Sequence, residues 1–358
     1  MAKWRVAGIS FDHMHMGDLL RLTHDHPNAE IVGIFDPSRE KMAQAIKDFN
    51  ISDSAVYTDL QTCLQDSKPD LALLCSATAD HGDHAEILAS YGLHIHVEKP
   101  FADSVEDARR MIKAMEGSGK LLAINWPLAW YPSHNTCKRL LEEGAIGQIT
   151  EIHFYDGNRG PLYHLADKVE VTPEEVERQK PDSWWYKKAS GGGSLLDYLG
   201  YGATLGTWFM NGEAPLEVTS VIDQTPDIEV DQHSITICRY ARGLSKMETR
   251  WGTFTDPWTT QPQPKCGFVV VGTDGTISSY DYDDYVTIQT RAIPEQTRVT
   301  VDTLPDGQTN SIEYMLKCME TDAPIEGPLS PELCLTAQRI VDTAAKSAQQ
   351  KKTLDLVP

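Results

Sequence analysis

Up to residue 125, short apolar runs alternate with stretches of helical periodicity. Trp4–Ile9 reads as a strand, Met16–His24 as a short helix with Leu19, Leu20 and Leu22 on its apolar side, and Glu30–Phe35 as a second strand ending at Asp36. Pro37 and Ser38 open a helix predicted to run through Phe49. Asp70–Cys75 is almost continuously apolar, as a strand buried on both faces must be. His81–Tyr91 is helical, His94–Val97 a strand, Ser104–Gly117 a helix and Leu121–Asn125 a strand. This alternation predicts a parallel sheet with helices on both faces.

The pattern changes near residue 147. Ile149–Tyr155, Leu216–Ile222, His233–Tyr240, Ser245–Arg250, Gly267–Gly272, Thr276–Tyr280, Val286–Gln289 and Thr297–Val301 follow as strand-like runs with little helix between them. They predict a large open, mainly antiparallel sheet. A helix over Leu195–Met210 interrupts it, Lys168–Lys187 reads as a loop with a helical turn after Thr172, and helices near Ser311–Glu320 and Pro331–Gln349 close the chain. The expected organisation is an α/β dinucleotide-binding domain at 1–125, an α+β domain at 126–330 for substrate and oligomerisation, and a helix and tail at 331–358 packing back on the first domain.

Composition narrows the function classes. Of 358 residues, 41% are hydrophobic and 23% charged, a globular mix large enough for two domains. Thirty-two basic against 52 acidic side chains leave a net charge of −20, which disfavours nucleic-acid partners. No apolar run approaches the roughly 18 residues of a membrane helix. Met1-Ala2-Lys3-Trp4 leads straight into the first strand, so no signal peptide, no membrane contact and a cytoplasmic setting are expected. The seven cysteines are scattered, odd in number and form no CxxC, which suits reduced thiols.

A dinucleotide-binding turn needs glycines where the first strand enters its helix, so that backbone can approach a pyrophosphate. Here Gly8-Ile9-Ser10-Phe11-Asp12-His13 keeps only the first glycine of G-x-G-x-x-G. Ser10 crowds the phosphate approach, and Asp12 brings a negative charge unless it turns away. Asp36 stands where a carboxylate accepts a ribose diol and repels a 2′-phosphate, which favours NAD over NADP. It is equally placed to cap the helix before Pro37, and Arg39 nearby keeps NADP open.

The segment His84-Ala85-Glu86-Ile87-Leu88-Ala89-Ser90-Tyr91-Gly92-Leu93-His94-Ile95-His96-Val97-Glu98-Lys99-Pro100 resembles the Gfo/Idh/MocA oxidoreductase family, in which a helix begun by histidine leads to a strand ending in Glu-Lys-Pro. Trp185, then Ser190-Gly191-Gly192-Gly193-Ser194-Leu195-Leu196-Asp197-Tyr198-Leu199-Gly200-Tyr201, is similar to that family's second block, and Ser330-Pro331-Glu332 to its last helix start. The resemblance implies NAD(P) and a sugar, inositol or related substrate. It also implies a catalytic group of Lys99, Asp197 and Tyr201, with Glu98 against the nicotinamide ribose. The cofactor contacts it points to are Gly8, Ser10, Phe11, Asp12, His13, Asp36, Ser76, Ala77, His81, His84, Glu98, Lys99, Asn125 and Trp185. Substrate contacts fall on Lys99, Trp126, Asp197 and Tyr201. The sequence departs from the family in its glycine fingerprint, in Asp80-His81, and in Asn125-Trp126-Pro127.

The residues themselves support this chemistry. Oxidising a carbinol needs a base for the hydroxyl proton and a cation for the developing alkoxide. Lys99 follows a buried strand at the sheet's C-terminal rim, where burial lowers a lysine's pKa. Asp197 and Tyr201 lie one turn apart on a helix face, behind a glycine run that permits close approach. Trp126, Trp130, Tyr131, Trp184, Trp185 and Tyr186 suit stacking on a sugar or nicotinamide, or equally an interface core. The pairs His13/His15, His81/His84 and His94/His96 do not supply the three or four convergent ligands of a zinc site, so no metal is expected. A sugar or polyol dehydrogenase leads. The resemblance leaves room for a redox-neutral glycosidase that oxidises, eliminates and re-reduces with a tightly held cofactor. It also leaves room for a non-catalytic nucleotide sensor, against which the retained Lys99, Asp197 and Tyr201 count. An open sheet face calls for a homodimer or homotetramer.

Overall fold

The computed structural model describes residues 3–223 and 225–358; Met1 and Ala2, read as leading into the first strand, lie outside the described residues. The first domain is a six-stranded, all-parallel sheet of β1 (Trp4–Ile9), β2 (Ala29–Phe35), β3 (Val56–Tyr57), β4 (Leu71–Leu74), β5 (His94–Glu98) and β6 (Leu122–Asn125), in the order β3-β2-β1-β4-β5-β6. Helices α1 (His15–Asp25), α2 (Ala43–Asp48), α3 (Leu60–Ser67), α4 (His81–Ser90) and α5 (Val105–Ser118) connect them. Every residue of β4 is buried, as its unbroken apolar run requires. The strand order reverses direction between β1 and β4, so the ligand crevice of such a sheet opens at their C-terminal ends.

The second domain carries a nine-stranded sheet: β7 (Ile149–Asn158), β8 (Glu217–Ile222), β9 (His233–Arg239), β10 (Leu244–Trp251), β11 (Gly267–Gly272), β12 (Gly275–Tyr280), β13 (Tyr285–Thr290), β14 (Thr297–Thr300) and β15 (Leu354–Asp355). Their order is β14-β13-β12-β11-β7-β10-β9-β8-β15. All pairings are antiparallel except β7 with β10, which the intervening chain brings together from a distance. Around it lie α6 (Pro132–Glu142), α7 (Pro173–Gln179), α8 (Ser194–Phe209), α9 (Ser311–Thr321) and α10 (Pro331–Gln350). α8 packs between the sheet and α10, so nearly all its residues are buried. α10 spans both domains: Asp342 accepts the Val105 N–H at 2.9 Å on α5, while β15 after it extends the second sheet beside β8. The opposite face of β8–β10 leaves Val221, Ile235 and Ile237 exposed. Among the described residues no helix is long and apolar enough to cross a membrane.

The helix expected from Pro37 to Phe49 shrinks to α2. Asp36 Oδ1 takes the Ser38 N–H, and the next N–H groups of Lys41, Met42 and Ala43 bond three residues back, so turns replace the first helical turns. β3, α3 and α6 lie outside the expected elements, although α6 is amphipathic and buries Ser133, Cys137 and Leu140 on one face. The seven cysteines are all unpaired and buried.

Candidate active site

The domains meet over Lys99, Asp197 and Tyr201. Lys99 follows β5 at the rim of the parallel sheet, and Asp197 and Tyr201 project from α8. Asp231 positions the start of α8 by accepting the Leu195 N–H at 2.7 Å, and Gly193, at φ +114°, turns the chain into it. The Lys99 ammonium bonds Asp197 Oδ1, and Trp251 Nε1–H donates to Asp197 Oδ2 at 2.9 Å. Both members of the pair are buried, and each is satisfied by the other, as buried charges must be. The ammonium also lies 5.5 Å from the Tyr201 ring centre and 5.6 Å from that of Trp185. Burial, then the charges of Glu98, Asp156 and Asp197, push the Tyr201 phenol well up, so it stands as a proton donor at neutral pH.

These groups line a cavity of about 70 Å³. Its far wall holds residues that sequence reasoning missed. Asp156 and Asn158 face it from β7, and Asp281 and Tyr282 from the segment after β12. Burial and the charge of Asp281 raise the Asp156 carboxyl well above its ordinary value. Asp281 Oδ1 is held by His134 Nε2 at 2.8 Å, while its Oδ2 is buried without a partner. A signal was present: Phe154, Asp156 and Asn158 alternate on the inward face of β7, where polar residues need a reason. His164, Lys168 and Trp258 close another side.

The dinucleotide crevice is built as the sheet order requires, with unusual side chains. A Cβ on Gly8 would lie 3.0 Å from Met16 Sδ, so this glycine permits α1 to pack on β1. Ser10 takes φ +64° in place of glycine and donates its N–H to Phe35 O at 2.8 Å. Asp36 Oδ2 accepts the Phe11 N–H at 2.8 Å, so Asp36 serves the turn after β2 and the loop before α1 at once. Asp12 crosses the crevice: its carboxylate accepts the Ala77 N–H at 3.1 Å and pairs with Lys41. That carboxylate therefore occupies an anion position made by a backbone N–H and an ammonium, the donors a pyrophosphate takes. With Asp36 nearby for a ribose, the residues fit a dinucleotide once the half-exposed Lys41 exchanges Asp12 for phosphate. Arg39 is turned to Asp53.

Other expected contacts are placed differently. Glu98 is wholly buried: Oε1 lies 2.9 Å from His15 Nδ1, and Oε2 accepts Asn125 Nδ2–H at 2.7 Å, so both oxygens face protein rather than a ribose. The histidine that opens α4 is His81, not His84. Its ring nitrogens lie 3.2 and 3.1 Å from the carbonyls of Phe101 and Ser76, whereas His84 meets only Asp80 O nearer the surface. Trp126 is core: its ring meets Tyr201 edge-on at 5.0 Å and its Nε1–H points to Cys334 Sγ at 3.3 Å, on α10. It supports Tyr201 from behind because Gly200 leaves room for it. Trp185 does line the cavity, stacked on Trp184 and edge-on to His13.

Comparison with known proteins agrees with this architecture. Residues 3–126 match the oxidoreductase family with an NAD-binding Rossmann fold, GFO/IDH/MocA, and residues 134–278 match the GFO/IDH/MocA C-terminal domain. An uncharacterized oxidoreductase, C115.03 of Schizosaccharomyces pombe, is 22% identical over 84% of this chain and 85% of its own. D-glucoside 3-dehydrogenase of Escherichia coli is 30% identical, over only 34% of each chain. Aldose-aldose oxidoreductase from Caulobacter crescentus, crystallised with glycerol, shares the fold at 17% identity and a TM-score of 0.78, over 99% of this chain and 100% of that one. So does the WlbA dehydrogenase from Bordetella pertussis, in complex with NADH and UDP-GlcNAcA, at 16% identity and a TM-score of 0.79, over 100% of this chain and 99% of that one. Matched through both of its domains, this chain belongs to the GFO/IDH/MocA oxidoreductase family.

Proposed function

We propose that this chain is a nicotinamide-dependent oxidoreductase acting at a carbinol of a sugar, glycoside or polyol, with NAD rather than NADP as its dinucleotide. The observation that carries the reading is the buried Lys99–Asp197 pair with Tyr201 beside it, at the point where the parallel sheet's rim meets α8. A nicotinamide held in the crevice would supply hydride transfer to or from the carbinol carbon. Lys99 hydrogen-bonds the substrate oxygen and offsets its developing negative charge. In the reducing direction Tyr201 donates the proton taken up by that oxygen. Asp197, fixed by Trp251, aims the Lys99 ammonium. Asp156, Asn158 and Asp281 supply acceptors for further hydroxyls on the far wall, which suits a polyhydroxylated ligand. Asp36 accepts the Phe11 and Ser38 N–H groups, and a carboxylate at this place in the crevice wall repels a 2′-phosphate, which favours NAD.

The test is a panel of sugars, glycosides and cyclitols with NAD, followed by absorbance. Tyr201→Phe and Lys99→Ala are each expected to lower kcat by about 10²- to 10⁴-fold. Turnover that survives both substitutions would remove the catalytic assignment.

A second reading, a redox-neutral glycosidase, has one observation in its favour. The second domain roofs the dinucleotide loop, with Trp184 Nε1–H donating to Asp12 O at 2.9 Å and Gly17 packed on Ala166, and such a roof retains a cofactor through a closed cycle. Aglycone released from glycosides without net NADH selects this reading.

We also propose that the outward face of β8–β10, where Val221, Ile235 and Ile237 stand exposed among charged side chains, joins two copies of the chain.

A further inference from the structure

Three donors outside the Lys99–Asp197–Tyr201 group converge beneath the cavity. His13 lies in the loop before α1, His15 is that helix's first residue, and Glu98 is the last residue of β5. Each offers a ligand atom within 4.8 Å of the other two. Glu98 Oε1 lies 2.9 Å from His15 Nδ1 and 3.7 Å from His13 Nε2. A tetrahedral zinc with bonds of about 2.0–2.1 Å sets its ligand atoms roughly 3.3 Å apart, so both distances are within a few tenths of an ångström of that spacing. Two imidazoles and one carboxylate form a recurrent donor set for catalytic zinc and for non-haem iron, in which the remaining positions stay open to a ligand.

A second observation points the same way. His13 is buried, at 2% exposure, and its Nε2 faces Glu98 with no hydrogen-bond partner. An orphaned buried ring nitrogen is costly in a dry site and is what a missing ligand would satisfy. His13 and His15 also line the cavity, so the open side of such a site faces the space assigned to substrate. The nearest competing cation, Lys99, is neutralised by Asp197.

We propose that His13, His15 and Glu98 bind one divalent transition-metal ion, zinc being the first candidate, with open positions directed into the cavity. Binding has a stated local cost. His13 Nδ1 accepts the His15 N–H at 3.1 Å, so ligation through Nε2 moves the ring proton to Nδ1 and ends that bond. His15 Nδ1 must likewise give up its contact with Glu98 and become a ligand. Asn125 still holds Glu98 Oε2 and so orients the carboxylate, the outer-shell support that metal ligands generally have. The proposal revises the sequence-based expectation of no metal. It needs no turnover to test, and because His13 and Glu98 are also among the expected dinucleotide contacts, metal uptake and NADH binding are measured separately.

The experiment uses the full-length protein. Metal content is measured by inductively coupled plasma mass spectrometry after purification without chelator. The EDTA-treated protein is then titrated with Co²⁺ and followed by its visible d–d absorption. Near one equivalent of metal per chain is expected, with Co²⁺ uptake lost in His13→Asn and in His15→Asn and kept in His84→Asn. Circular dichroism verifies folding. Should both variants misfold, X-ray absorption on the wild-type Co²⁺ protein reads the ligands directly, with two imidazoles and one carboxylate expected. No stoichiometric uptake, uptake unchanged in both variants, or a different ligand shell overturns the proposal. NADH fluorescence in EDTA is run in parallel, so failure of the dinucleotide reading is seen separately.

Discussion

At the scale of single residues, the site depends on charges that protein groups satisfy before any ligand arrives. Asp12 is the clearest case, because its carboxylate holds the Ala77 N–H and Lys41. Asp12→Ala is expected to tighten NADH binding by about 1–2 kcal/mol, roughly 5- to 30-fold, since the phosphate no longer has to displace a carboxylate. Isothermal titration checks this, and weaker binding would mean that Asp12 assists the cofactor. His164 gives a pH prediction. Burial, then Lys168 and His15, push its pKa down to about 2. The native state therefore leaves it neutral while the unfolded chain protonates it below about pH 6.5. Stability is lost as pH falls through that value, by about 1.4 kcal/mol per pH unit for this group. In urea melts, His164→Gln should flatten the decline between pH 6.5 and 5, and an unchanged slope would contradict it.

Secondary-structure elements decide how the groups are aimed. α8 must lie close to its neighbours to bring Asp197 to Lys99, and glycines make that possible. A Cβ on Gly200 would fall 2.4 Å from Trp126 Cη2, a buried ring on the other side of which lies α10. Gly200→Ala is expected to cost about 1–3 kcal/mol of stability. It should also lower kcat more than it changes KM, as the shift reaches Tyr201 through Trp126. Thermal denaturation and steady-state kinetics test both halves. Sequence pattern found most strands and α10 by their own apolar faces, and α8 as a helix apolar nearly all round behind a glycine run. It overextended the helix after Asp36, where a side chain captured the backbone N–H groups first, and it passed over α6 and α3.

For the whole molecule, the sheet that carries the far wall of the cavity also presents Val221, Ile235 and Ile237 to solvent at 67%, 39% and 45% exposure. A homodimer or homotetramer is expected in sedimentation velocity, with the Val221→Lys, Ile237→Lys double variant shifting it to a smaller species. A wild-type monomer at micromolar concentration would refute that face as an interface. With a net charge of −20, such a variant also shows whether salt alone changes the assembly.

The sequence by itself determined the two-domain α/β and mainly antiparallel plan, and the pairing of Lys99 with the Asp197–Tyr201 helix face. The plan follows from local periodicity, and the grouping of Lys99 with Asp197 and Tyr201 from the family resemblance of two blocks that lie 98 positions apart in the chain. Only the tertiary structure decided the rest. It brought Asp156 from β7 and Asp281 from the turn after β12 to one wall, put Trp126 into the core, laid Asp12 across the crevice, and folded His13 and His15 onto Glu98. Those outcomes depend on which distant segments share a dry space, and burial there sets charge states and hydrogen-bond partners that no local pattern records.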